Sequence, residues 1–209
     1  MSAPKRIVVG ISGASGAALG LRALELLSAA PDVEVHLVMS PAAERVAIEE
    51  IGRGGLNLAR QLAHAVHDCA DVGASLASGS VRTDGMLVAP CSMRTLSVIA
   101  YGNTDNLLTR AADVHLKERR PLVLLVRESP LHLGHIRAMA QATEAGAIVA
   151  PAVPAFYLKP VTAEHWIDQI ARRALALLGL GSSTRQPVEW GADAHFSDVT
   201  TIVEGVEPS

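Results

Sequence analysis

Residues 85–128 read GMLVAPCSMRTLSVIAYGNTDNLLTRAADVHLKERRPLVLLVRE, and their pattern decides the fold. Met86-Leu87-Val88-Ala89 is a short continuous apolar run ended by Pro90. A run of that length without polar alternation reads as a strand buried on both faces, as in a parallel sheet. Cys91-Ser92-Met93-Arg94-Thr95 follows as a small, hydroxylated turn, and Leu96 to Ala100 is helix-compatible. A second helix is expected over roughly Asn106 to Glu118. On it Arg110, Val114 and Lys117 fall at i, i+4 and i+7, so two cations share one face. Pro121 to Val126 is another buried strand, with Arg127-Glu128 at its carboxyl end. Strand, helix, helix, strand is a crossover unit of an open α/β sheet. In such sheets ligands bind at the carboxyl ends of the strands. Hydroxyls and free N–H groups at a strand-to-helix turn, with cations around them, suit a phosphorylated ligand.

The same alternation extends towards both ends. Arg6 to Ile11 is a strand, and Gly10-Ile11-Ser12-Gly13-Ala14-Ser15-Gly16 turns into a helix reaching about Ala29. The glycines are spaced G-x-x-G-x-x-G, which is neither the dinucleotide fingerprint nor a nucleophile elbow. Small residues here let backbone approach a ligand closely, although a tight turn without a ligand satisfies the same spacing. Val33 to Met39 is a second strand. Ser40-Pro41 then carries a helix start signal, and capping alone would explain Ser40. Glu49 and Glu50 on that helix read as a solvated pair of acids.

Residues 52–84 are the least regular. GRGG is expected to break the helix, Leu56 to Val66 to form another, and His64-x-x-His67 lacks the carboxylate partners of a metal site. Residues 74–80, ASLASGS, are small and hydroxyl-rich. Leu131 to Ala145 reads as a helix and Ala147 to Ala150 as the last core strand, followed by a stiff loop, PAVPAFY, over residues 151–157. Thr162 to Leu178 is amphipathic, with Ile167, Ile170, Ala174 and Leu177 as its stripe and Arg173 flanking it. Residues 181–209 are expected to be a polar tail beyond a single domain of residues 1–180.

Composition narrows the classes. The 209 residues suit one domain with a sizeable core. Hydrophobic residues make up 49% and aromatics only 3%, so that core is aliphatic and rich in alanine. A formal net charge of −3 provides no global field for nucleic acid or an anionic membrane, so any anion site is local. Cys69 and Cys91 form neither a disulfide framework nor a CxxC motif, which favours a reduced, cytoplasmic protein. No apolar run is long enough to span a bilayer, and the start leads into a strand without a signal peptide.

Several separated motifs resemble the flavin prenyltransferases, the UbiX-type partners of UbiD-type decarboxylases. They are GISGASG near the start, ASLASGS, APCSMRTLSVIAYG, DNLLTRAADVHLKERRPLVL, VRESPL and PAVPAFY, together covering about residues 5–180. The resemblance implies a flavodoxin-like, Rossmann-like three-layer sandwich. It implies FMN binding by Gly13, Ala14, Ser15, Ser40, Ser92, Met93, Arg94, Thr95 and Arg127. It implies that Lys117, Arg127, Glu128, Tyr157 and Arg173 surround a prenyl phosphate, and that Glu49 lies near the reaction centre. The implied reaction joins the dimethylallyl group of dimethylallyl monophosphate to N5 and C6 of reduced FMN, without metal, in a homo-oligomer expected to be a dodecamer. The product serves a UbiD-type decarboxylase.

There are departures from the family pattern. Arg94 stands where lysine is common, Ala18-Leu19 where an aromatic is common, and Ala138 replaces an asparagine; the chain is also short between residues 50 and 80. Chemically, cations and hydrogen-bond donors around a departing phosphate would stabilise the charge it gains, which suits Lys117, Arg127, Arg173 and Tyr157. Two other readings share the fold: a flavin-dependent cysteine decarboxylase, and an FMN-carrying accessory subunit of a hydroxyarylic acid decarboxylase. The first expects a PASANT-like loop where this chain has Pro90-Cys91-Ser92-Met93-Arg94-Thr95. The second does not need the phosphate cations.

Overall fold

In the computed structural model, which describes residues 3–180, six strands alternate with helices. The strands are β1 (Lys5–Ile11), β2 (Val33–Met39), β3 (Ala65–His67), β4 (Gly85–Cys91), β5 (Leu122–Val126) and β6 (Ile148–Pro151). The helices are α1 (Ala17–Ser28), α2 (Pro41–Gln61), α3 (Met93–Ala100), α4 (Leu107–Lys117), α5 (Leu133–Glu144) and α6 (Ala163–Ala176). Every strand pair is parallel and the order across the sheet is β3-β2-β1-β4-β5-β6.

Strand pleating sorts the side chains into two apolar layers. On β4, Met86 and Val88 join the cluster under α3, α4 and α5, while Leu87 and Ala89 join the cluster under α1, α2 and α6. All four are fully buried. Each buried Leu, Val or Met contributes about 1.5–3 kcal/mol relative to exposure. A continuous apolar run is therefore what a central strand of a three-layer sandwich requires. Gly20 sets the tightest helix–sheet approach. A Cβ there would collide with the Ala89 carbonyl oxygen, so glycine in mid-helix lets α1 settle onto β4.

Four helices begin on hydroxyl or amide caps: Ser40, Ser92, Asn106 and Thr162 accept from the N–H of Ala43, Thr95, Thr109 and His165. Such caps contribute about 1 kcal/mol each. Ser92 caps α3 at once, so Met93, Arg94 and Thr95 form its first turn and not a free loop.

The structure departs from expectation mainly between residues 52 and 84. GRGG breaks the helix at Gly52, as expected, although the two pieces run on as one element. Gly52 adopts φ 71° and ψ 172°, and the chain resumes helix to Gln61. Arg60 then pairs with Glu44 at 2.6 Å although 16 residues separate them. A straight helix would place them about 24 Å apart. The chain therefore doubles back at Gly52. The expected helix over 56–66 stops at Gln61, and residues 65–67 add a short edge strand to β2.

β1 leads to β2 on one side and β4 to β5 on the other. The loops after β1 and β4 therefore part company, which opens a crevice at their carboxyl ends. The expected tail, residues 181–209, lies outside the described residues.

Candidate functional site

Ser12 ties the two diverging loops together. It is 1% exposed; its Oγ donates to the Pro90 carbonyl at 2.9 Å and accepts the Ser92 N–H at 2.7 Å. This bridge fixes the loop after β1 against the start of α3. Sequence reading passed over Ser12; its signal was a hydroxyl directly after an apolar strand.

A cleft of about 980 Å³ opens beside the bridge. Five of the expected flavin-binding residues line it: Gly13, Ser40, Ser92, Arg94 and Thr95. Gly13 is required by close approach, since a Cβ would lie 2.5 Å from that of Ala42. The starts of α2 and α3 face this space, and their N–H groups favour anions. Arg94 pairs with Asp105 at 2.7 Å, and the Arg60–Glu44 pair sits in the same wall. Ala14, Ser15, Met93 and Arg127 are not part of this lining.

Ser15 and Arg127 belong to an adjoining cluster centred on Glu50. Glu50 Oε2 accepts the N–H groups of Gly16 and Ala17, each at 2.8 Å, at the start of α1. Partial burial raises its pKa; the hydrogen bonds from Ser15, Ala17 and Gly16 and the charge of Arg127 outweigh that, leaving a net lowering. Arg127 is held there by its N–H, which donates to the Cys91 carbonyl at 3.2 Å. Glu49, the expected residue, is exposed, as Glu50 is too; what sets Glu50 apart is its contact with the first loop. Helix phase explains the difference. Ala43 and Ala47 are the buried residues of this part of α2, and Glu50 follows them at i+7 and i+3. Glu49 falls off that line.

The expected prenyl-phosphate residues are not gathered by one chain. Lys117 ends α4 and pairs with Glu118. It lies five residues before β5 begins, at the amino edge of the sheet, whereas Arg127 follows the carboxyl end of β5. A five-residue strand separates these levels by about 17 Å. Arg173 is exposed on α6, while its neighbour Arg172 turns inward to Asp168 at 2.7 Å. The end of α6 also lies near the amino edge, because Leu178 packs beside Gly85 at the start of β4. Glu128 is exposed and accepts the Ser129 N–H at 3.0 Å, and Tyr157 is half exposed in a 3-10 turn.

The histidine pair of residues 64 and 67 is committed elsewhere. His64 Nδ1 accepts the Val35 N–H, and His67 meets His36 at 2.9 Å. Among the described residues no group of three or more His, Cys, Asp or Glu could hold a metal ion, and no helix is long and apolar enough to cross a membrane.

A parallel sheet with an anion-favouring crevice at its carboxyl edge is the frame of a phosphate-binding protein. The sequence profile described as Flavoprotein matches residues 1–208. The chain is 54% identical over 171 residues to flavin prenyltransferase UbiX of Escherichia coli K12, covering 82% of this chain and 90% of that protein. It is 52% identical over 186 residues to flavin prenyltransferase UbiX of Neisseria meningitidis serogroup B, covering 89% and 96%. Among solved structures, AnUbiX in complex with FMN and dimethylallyl pyrophosphate superposes with a TM-score of 0.82 at 46% identity, covering 90% of this chain and 99% of that one. A dodecameric FMN-dependent UbiX-like decarboxylase from E. coli O157:H7 gives 0.84 at 41%, covering 90% and 100%. The FMN-dependent cysteine decarboxylase TvaF, at 19% identity over 84% of this chain and 98% of its own, with a TM-score of 0.60, shares the fold alone. The chain belongs to the flavoprotein family and, within it, to the flavin prenyltransferases.

Proposed function

We propose that this protein joins the dimethylallyl group of dimethylallyl monophosphate to N5 and C6 of reduced FMN. The observation that carries the reading is the pairing of two sites at one sheet edge. The cleft of Gly13, Ser40, Ser92, Arg94 and Thr95 has the donors and cations for a flavin phosphate. The adjoining Ser15–Glu50–Arg127 cluster presents a hydroxyl, a carboxylate and a guanidinium where the loops diverge. When bound, reduced flavin supplies the nucleophilic nitrogen and carbon.

The chain's own residues supply the rest. Glu50 clamps the Gly16 and Ala17 amides and so fixes Ser15. Arg127, whose charge acts on Glu50, offers positive charge to a departing phosphate. Glu128, beside Arg127, and Tyr157 also belong to the phosphate pocket, and Lys117 and Arg173 complete it from other copies of the chain. Support for that comes from the separation of Lys117 and Arg173 from Arg127 within one chain. Further support is the exposed apolar set Leu131, Leu133, Ile136, Val153, Phe156 and Val161, a surface suited to burial between copies. A homo-oligomer follows, with the dodecamer as its form. The recipient of the product is a UbiD-type decarboxylase, and the compartment is the cytoplasm, in keeping with two unpaired thiols.

Anaerobic incubation with reduced FMN and dimethylallyl monophosphate, followed by mass spectrometry of the flavin, tests this. A flavin heavier by one dimethylallyl unit is expected. Unchanged flavin that remains bound would instead favour the FMN-carrying accessory subunit.

A further inference from the structure

We propose that Arg60 is a phosphate ligand of the cleft, held in reserve by Glu44 until a phosphate monoester displaces that carboxylate. The inference rests on the reading of the cleft as a flavin site and adds a residue to it.

Three observations carry it. First, Arg60 and Glu44 both line the cleft, alongside Ser40 and Ser92, whose hydroxyls cap α2 and α3. Second, Arg60 is there only because α2 doubles back. Gly52, at φ 71°, adopts a backbone conformation that L side chains rarely take, and it returns the last turn of α2 to the first. Third, the cleft is not cationic as it stands. Its guanidiniums, Arg60 and Arg94, are matched by Glu44 and Asp105, and Asp68 adds a further acid. A dianion bound at the helix starts gains a guanidinium as well only by replacing a carboxylate. Both pairs are exposed, Arg94–Asp105 more so at 67% and 50% than Arg60–Glu44 at 41% each; Arg60 is the candidate for exchange because it arrives on the segment that turns back at Gly52, whereas Arg94 is fixed in the capped first turn of α3. An ion pair at that exposure holds its partners weakly. A guanidinium meets phosphate oxygens with a geometrically matched, charge-assisted fork.

The test compares equilibrium binding of FMN and of riboflavin by the full chain, followed by flavin fluorescence quenching. Riboflavin lacks the phosphate, so the ratio of the two affinities isolates it. Arg60→Gln is expected to lower the FMN-to-riboflavin affinity ratio about tenfold, the loss of one charge-assisted hydrogen bond, with riboflavin binding unchanged. Glu44→Gln is expected to raise the ratio, because it frees Arg60 and removes a negative charge. Opposite signs are the signature of exchange. A purely structural pair would move both variants the same way, and that outcome overturns the proposal, as does an unchanged ratio in Arg60→Gln. Failure of the unsubstituted protein to bind FMN would overturn the flavin reading beneath it.

Discussion

Glu50 Oε2 sits 2.8 Å from the backbone nitrogens of both Gly16 and Ala17, so a side chain of α2 caps the first turn of α1. Gly16 is at φ 109° and cannot supply a side-chain cap of its own. The carboxylate from 34 residues away takes that role and orients Ser15 beside it.

Glu50→Gln is therefore expected to slow prenylation by about 10²-fold or more, the scale of a group acting at a reacting centre. Glu49→Gln, off the helix line that meets the first loop, should stay within about twofold of the unsubstituted rate. Single-turnover rates with reduced FMN decide it. Equal loss in both variants would remove the distinction drawn from helix phase.

The same contact has a pH signature. The pKa of Glu50 is lowered in the fold, so its contribution is present above the ordinary carboxylate range. It is lost as pH falls below the ordinary carboxylate range, through the depressed value. Protection of the Gly16 and Ala17 amides from hydrogen exchange should persist at neutral pH and weaken in that acid window. In Glu50→Gln it should be weak at both.

Ser12→Ala removes a buried hydroxyl that serves two loops. The Ser92 N–H loses its partner, while Pro90 O keeps the Ser12 N–H at 3.2 Å. One unsatisfied buried donor costs about 1–3 kcal/mol. For a chain of this size that lowers Tm by roughly 2–10 °C. FMN binding should weaken alongside, because the loops flanking the cleft are no longer joined. A melting temperature within about one degree of the unsubstituted protein would show the bridge to be dispensable.

The strands were legible because burial on both faces leaves a compositional mark: runs such as Ile7-Val8-Val9 and Leu122 to Val126 have no polar alternation. The capped turns at Ser40 and Ser92 were legible for a similar reason, since cap chemistry is local. β3 was not, because Ala65-Val66-His67 is a three-residue edge strand with an exposed valine and takes its identity from pairing with β2. Nor was the return of Arg60, since GRGG reads equally as a break and as a hinge. Glu49 and Glu50 differ by one step of about 100° around a helix. Only the packing of Ala43 and Ala47 says which of them faces the first loop.

Burial fixes the behaviour of the two thiols. Cys91 is fully buried and its pKa is pushed far above the usual thiol range, and burial raises that of Cys69 as well. Thiolate is the reactive form. A disulfide reagent at neutral pH should label neither residue within minutes in the folded protein and both in denaturant. Rapid labelling of Cys91 without denaturant would contradict its place in β4.

The last prediction concerns how the phosphate pocket is assembled. Within a chain, Lys117 stands at the amino edge of the sheet and Arg127 at the carboxyl edge, with β5 between them. Arg173 is exposed on α6, five residues before Leu178, which packs beside Gly85 at the amino edge. If all three serve one phosphate, each pocket draws on more than one copy. Lys117→Ala and Arg127→Ala should each lose prenylation. Arg173→Ala and Tyr157→Phe should lose it while keeping FMN, because neither lines the cleft. Mixing is the sharper measurement. Lys117→Ala and Arg127→Ala proteins, dissociated together and reassembled, form some pockets in which both defects fall together and others in which neither does. If a pocket takes Lys117 from one copy and Arg127 from another, random pairing of two equal pools restores about a quarter of the pockets, by the independence expected of a closed symmetric assembly. If both residues served the pocket of their own chain, every pocket would carry one defect and mixing would restore nothing. Activity near a quarter after mixing, with none in either protein alone, is the expected result. Its absence after verified exchange of subunits would return the pocket to a single chain.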